Sequence, residues 1–297
     1  MLRLALAALL ALPVVAVAQD AGAALKKQKE AADDAIKQAK LDKPTVAETD
    51  AILLYTTQPE AKAKLLAAAA QKTFDATYKL LKVEDKGKLW PGKLTAFVLP
   101  TRTHYNSFVR LVLKDRPEAV ESHRTSSKGD TAFVLVGVEP GTTPTDASVA
   151  DELSQTVAAV TLTRKFGTSS TVTELPYWLT EGFSRVAVMR TEGNAAKLTA
   201  FKAKQRAVFA KKTVGAFKVG TVWGADKAKD QDILAASFVE FLLFGPDAKF
   251  DKFVNAFKPG EGTPTPTTAN ALEAVEWKDE AALDNLWKGW VVKSLSK

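Results

Sequence analysis

"VADELSQTVAAV", residues 149–160, sets Val149, Leu153, Val157 and Val160 at steps of four and three. That spacing makes an apolar stripe and predicts a helix over about 147–166. Asp151 and Gln155 lie four residues apart and share nearly one face, while Glu152 points about 100° away. Taken singly, each polar residue has an ordinary explanation. Asp151 and Glu152 complement the positive end of a helix in its early turns, and Gln155 is a solvated helix residue.

The next segment changes that reading. Phe166 and Gly167 lead through a short turn to "LPYWLTEGFSRVAV", residues 175–188. Trp178 and Leu179 are expected in the core of a second helix. Glu181 and Arg185 stand at i and i+4 with the acid first, the order that favours a salt bridge. Arg185, or a base such as Arg164, is therefore the expected charge partner of Glu181 and of Asp151.

Upstream of this helix pair, "AILLYTT" (51–57), "KLTAFVLP" (93–100) and "TAFVLVGV" (131–138) are short apolar runs that read as buried strands. Leu65, Leu66, Ala69, Phe74, Tyr78 and Leu81 recur at helical spacing after Pro59, which suits a helix start, and a further helix is expected around Tyr105 to Lys114. Beyond Gly141 the chain reads as helical. The breakers are "GTSST" (167–171), "EGN" (192–194), "VGTVWG" (219–224) and "KPGEGTPTPTT" (258–268). The fold class is thus α+β, a small N-terminal sheet with helices followed by a mostly helical half.

In that order these segments resemble the peptidase MA-like gluzincins, zinc peptidases in which an HExxH helix precedes a helix with the pattern P-W-L-x-E-G. Here the second motif stands intact as Pro176, Trp178, Leu179, Thr180, Glu181 and Gly182, and the first has become Asp151, Glu152, Leu153, Ser154 and Gln155. The resemblance runs on into "KLTAFVLPTRTHYNSFVR" (93–110), "AASFVEFLLFGPDAKFDKFVNAF" (235–257) and "DEAALDNLWKGWV" (279–291), whose paired tryptophans Trp287 and Trp290 are expected in the core. It implies a thermolysin-type C-terminal half, with Asp151, Gln155 and Glu181 at the ligand positions and Glu152 at that of the general base. Zinc takes two imidazole nitrogens and a carboxylate in such a site, leaving one position for the reacting water. A neutral Gln155 amide is a poor zinc ligand, and an all-oxygen set does not suit the ion. The expectation is no zinc and no other cofactor, with Glu152 a vestigial base. His104 and His123, the two histidines of the chain, fall ahead of the helix pair and read as structural or surface residues.

Residues 1–18 read as a secretory signal: Arg3, an apolar run from Leu4 to Val17, and small residues Ala16 and Ala18 before a cleavage site. Residues 19–48 follow as a polar helical or flexible leader, its Ala23 to Leu41 stretch adding little core, and 49–297 as the peptidase-like domain. There is no cysteine, so no disulfide or thiol chemistry. The net charge of +7 comes from lysines scattered among acids rather than gathered in a block, and no nucleic-acid module motif is present. No GxSxG elbow, phosphate loop or dinucleotide fingerprint occurs either. The expected protein is a secreted or periplasmic pseudo-peptidase that binds a peptide or protein ligand at the cell envelope, with no integral membrane segment after cleavage. Two alternatives stand beside it: an enzyme in which Asp151, Glu152 and Glu181 hold a hard ion such as calcium or magnesium and keep residual hydrolase activity, and a purely structural envelope protein.

Overall fold

A computed structural model describes residues 12–83, 89–90, 92–119, 121–126, 132–138, 141–166, 175–191, 193–211, 218–223, 230–246, 248–257, 268–277 and 279–295; at 12–21, 211, 221, 223 and 268 only the backbone is described. Most of the expected signal (1–11), the turn at 167–171 and most of the Pro- and Thr-rich stretch at 258–268 lie outside these residues. The fold is mixed α+β, its helices mostly in the C-terminal half. The chain divides into two compact units, Met1–Ala68 with Asp85–Val149, and Ala69–Glu84 with Ala150–Lys297.

The first unit holds a five-stranded sheet of order β1-β2-β3-β5-β4. Its strands are β1 (Thr45–Glu48), β2 (Ile52–Thr56), β3 (Leu94–Val98), β4 (His123–Ser126) and β5 (Phe133–Val136). β2, β3 and β5 run parallel, and β1 and β4 are antiparallel edges. Every residue of β2 and β3 is buried, and all but Thr56 and Thr95 are apolar, as the near-continuous apolar runs of central parallel strands require. The edges were not foreseen, because "TVAE" and "HRTS" alternate exposed and partly covered residues and carry little apolar signal.

On one sheet face Leu53, Tyr55, Phe97 and Leu135 pack with α1 (Leu12–Gln38) and α3 (Arg102–Leu111). The Tyr55 and Phe97 rings, paired across strands, lie 5.7 Å apart, and Phe108 of α3 sits 4.6 Å from Phe97. α3 starts three residues earlier than its periodicity suggests, because Thr101 caps it by accepting from the His104 N–H. The stretch from Ala23 to Leu41 was expected to add little core. Instead Ala32, Ile36, Ala39 and Leu41 are buried. Gln28 anchors the helix: its Nε2 donates to the Lys93 carbonyl and to Thr95 Oγ1 (2.7 Å), and its Oε1 accepts from the Lys93 N–H (3.0 Å). Positions 25, 28, 32, 36 and 39 form a narrow helical stripe whose alanines and glutamine carry little hydropathy.

Below the sheet edge, Glu121 accepts from Tyr105 Oη (2.9 Å) and pairs with Arg124, which also pairs with Asp115. Burial pushes the Glu121 carboxyl up, but the hydrogen bonds from Arg124, the Glu118 N–H and Tyr105 outweigh it and hold the group below its ordinary 4.5. A carboxylate depressed in the folded state stabilises fully above the unfolded value and loses that stabilisation as pH falls through the folded one. Glu121→Gln is therefore expected to lower stability by roughly 1.5–3 kcal/mol near neutral pH and by less below about pH 4. Urea unfolding at both pH values checks this, and an equal loss at the two would refute it.

The second unit contains the end of α2 (Glu60–Leu80), most of α4 (Asp146–Phe166), and α5 (Tyr177–Arg190), α6 (Ala195–Lys211), α7 (Val219–Trp223), α8 (Gln231–Phe244), α9 (Phe250–Asn255), α10 (Thr268–Ala274) and α11 (Glu280–Leu295). Its core is aromatic: Phe238 meets Trp178 at 5.7 Å and Trp287 at 5.4 Å, and the Trp287 N–H donates to Ser237 Oγ (3.3 Å). Trp178, Leu179 and Trp287 are buried and Trp290 is partly so. Within the stretch "VGTVWG", expected to break helix, Val219–Trp223 form α7. Val219 and Val222 are fully buried there, and the Val219 N–H donates to Asp284, so tertiary packing overrides the glycines. Among the described residues no helix is long and apolar enough to cross a membrane.

Candidate functional site

Glu181 lies one turn into α5, and what faces it is decided by how closely α5 approaches α8. Gly182 is the point of approach: a Cβ there would stand 2.6 Å from the Ala235 carbonyl oxygen and 2.9 Å from Val239 Cγ2. α8 begins after Asp230, held in the left-handed region (φ 70°), and carries Asp232 in its first turn. The close crossing therefore sets Asp232 beside the Glu181–Arg185 turn. Arg185 Nε donates to Glu181 Oε1 at 2.6 Å, and its Nη2 stands 3.4 Å from Asp232 Oδ2.

These groups line a pocket of about 200 Å³ with Tyr177, Trp178 and Gln231. Two carboxylates share one guanidinium, so the described lining carries a surplus negative charge. Tyr177, 55% exposed, presents its ring at the surface. Partial burial, and next the Glu181 carboxylate, push its phenol above the ordinary 10.0, with smaller contributions from Asp232 and Glu152. At neutral pH the hydroxyl is protonated and available as a donor. Glu152 is thus within electrostatic reach of Tyr177.

Asp151 is engaged elsewhere. Its carboxylate pairs with Lys197 of α6. Arg164 lies on the order of 20 Å further along α4, at about 1.5 Å per residue, which takes it out of reach of Asp151. Gln155 is half-buried on α4 and does not line the pocket. The structure thus joins Glu181 with Arg185 and Asp151 with Lys197. Among the described residues no three His, Cys, Asp or Glu side chains form a group that could hold a metal. One carboxylate bound by an ammonium, one by a guanidinium, and a neutral amide are a donor set that does not suit zinc. His104 lies on α3 and His123 on β4.

Lys197, Asp232 and Gln231 were not foreseen. Lys197 stands in "NAAKLTAF" and Asp232 in "KDQDIL", stretches whose only local signal is helix formation; both enter by tertiary approach. Tyr177 falls within the P-Y-W-L stretch, where the tryptophan and leucine carry the pattern. Neither protein-family models nor curated proteins give a match to this chain.

Proposed function

We propose that the chain is an exported, catalytically degenerate peptidase of gluzincin type whose work is to bind a peptide or protein ligand at the cell envelope. The observation that carries this reading is the Arg185 guanidinium. It holds Glu181, at the third ligand position of the resembled motif, and reaches Asp232 as well. A cation supplied by the chain itself occupies the carboxylate that a metal would need. Lys197 does the same for Asp151. Glu152 then has no metal-bound water from which to take a proton, and no step of zinc hydrolysis follows from these residues.

Two features support binding. The pocket between α5 and α8 offers carboxylate acceptors, guanidinium and phenol donors and an aromatic face, the few placed polar groups on an apolar wall that small sites use. In the sheet, β4 is paired on one side only, by β5, among the described strands, so its other edge can accept an extended peptide.

Elemental mass spectrometry tests the proposal on protein purified without chelator, before and after addition and washing of zinc and calcium. The expected result is less than about one tenth of a metal ion per folded chain, given a donor set unsuited to zinc. One zinc retained per chain would overturn the pseudo-enzyme reading, and one calcium would put an oxygen-ligand site in its place.

A further inference from the structure

A partly apolar recess in the second unit lies apart from Glu181. It is a cavity of about 390 Å³ where α2, α5 and α8 end, walled by Leu80, Leu243, Phe244 and Phe250, with Lys79, Lys82 and Arg190 among its lining residues. That volume falls in the range of small-molecule sites. Lysines at a helix end ordinarily answer the negative carbonyl terminus, which accounts for Lys79 in the last turn of α2. Arg190 likewise stands in the last turn of α5, so what sets these cations apart is that two helix ends bring three of them to one recess.

Lys82 is the second residue past α2, which ends at Leu80. Its N–H donates to the Lys79 carbonyl at 3.3 Å, and the Val83 N–H donates to the Tyr78 carbonyl at 3.0 Å. This cap places Lys82 in the left-handed region (φ 51°), a position that favours glycine, so a lysine here is held against a conformational preference. Among the described residues neither lysine ammonium has an ion-pair partner.

Arg190 is fixed from two sides. Its Nη2 donates to Glu240 Oε1 at 2.9 Å, and its guanidinium carbon stands 4.4 Å from the centre of the Phe244 ring. Glu240, whose side chain is 2% exposed, is held in turn by Lys202 at 2.5 Å. Buried carboxylate, second cation and ring aim the guanidinium without using all five of its N–H donors. Among the described residues Asp251 is the carboxylate that lines the cavity. Three cations among the described residues, Lys79, Lys82 and Arg190, line the cavity against one carboxylate, Asp251, and the Lys202–Glu240 pair beside Arg190 cancels, which leaves a surplus of two positive charges beside an apolar wall.

We propose that this cavity binds a small organic anion, a carboxylate or phosphate head on an apolar body. Arg190 receives the head, Lys79 and Lys82 complete its neutralisation, and the Leu80, Leu243 and Phe250 wall takes the apolar part. Charge-assisted hydrogen bonds from a pre-oriented guanidinium supply the specificity for an anion over a neutral analogue.

Isothermal titration of the full chain with octanoate, octyl phosphate and 1-octanol tests this. Saturable binding at one molecule per chain is expected for octanoate, octyl phosphate or both, and the comparison decides between carboxylate and phosphate. Binding of 1-octanol should be weaker by at least about tenfold. The variant for the site is Lys79→Gln with Lys82→Gln, two exposed positions whose change leaves the Arg190–Glu240 contact intact, with circular dichroism confirming its fold. It should bind the anion at least about tenfold more weakly. Failure of both anions to bind, equal binding of 1-octanol, or undiminished binding by the double variant would each overturn the proposal.

Discussion

Gly182→Ala is expected to destabilise the protein by about 3 kcal/mol, at the upper end of what overpacking costs. The sign is not obvious beforehand, since alanine in a helix interior is favoured over glycine by roughly 0.8–1.0 kcal/mol. Packing reverses it. A Cβ at position 182 would meet the Ala235 carbonyl oxygen at 2.6 Å and carbon at 2.7 Å, atoms of the α8 backbone that no rotamer change can move. The third contact, Val239 Cγ2 at 2.9 Å, belongs to a side chain. Adding Val239→Ala should therefore recover little, because the carbonyl remains and a buried valine has been lost. To fit the methyl, α5 and α8 must part, which loosens the contact of Trp178 with Phe238 and moves Asp232 from Arg185. Urea unfolding of the single and double variants measures this. A more stable single variant would show that the two helices separate freely and that the glycine owes nothing to the crossing.

The glycine also illustrates what could be read in advance. Pro176, Trp178, Leu179, Glu181 and Gly182 stand out as a pattern in the chain, and each has a physical role in the structure. The proline precedes the helix, the tryptophan and leucine fill the core, the glutamate meets Arg185 one turn on, and the glycine admits α8. The central strands were legible for a similar reason, since strands covered on both faces read as near-continuous apolar runs. What escaped depends on distant partners. The edge strands carry no periodic apolar signal, and they form because β2 and β5 offer them a ladder. The α1 stripe is written in alanines and one glutamine, whose burial is worth little per residue by hydropathy and becomes decisive only against Lys93 and Thr95. Asp151 shows the limit most plainly. Its spacing from Gln155 suggested a shared partner, yet its cation comes from α6, a helix in which nothing but composition distinguishes Lys197.

Glu240→Ala should cost about 3 kcal/mol, the lower end of the range for removing one member of a buried ion pair. The carboxylate side chain is 2% exposed, against 20% for Lys202 and 37% for Arg190. Its loss strands two cations unequally. Arg190 can turn toward solvent, though it must then leave the Phe244 ring; Lys202, more enclosed, keeps only a ring contact, with Nζ 5.8 Å from the centre of Trp290. Most of the penalty should therefore lie with Lys202, and the pair can be separated on that basis. Glu240→Met combined with Lys202→Met replaces both buried charges by flexible apolar chains, and such replacements are often neutral or stabilising. The combination should recover most of the loss seen in Glu240→Ala. Arg190 would then be released, so the same double variant should stay folded and yet bind octanoate or octyl phosphate more weakly. Chemical denaturation and titration on one preparation separate the two roles. A loss below about 0.5 kcal/mol for Glu240→Ala would mean that the network behaves as an exposed surface pair, and that Glu240 neither stabilises the unit nor holds the guanidinium in place.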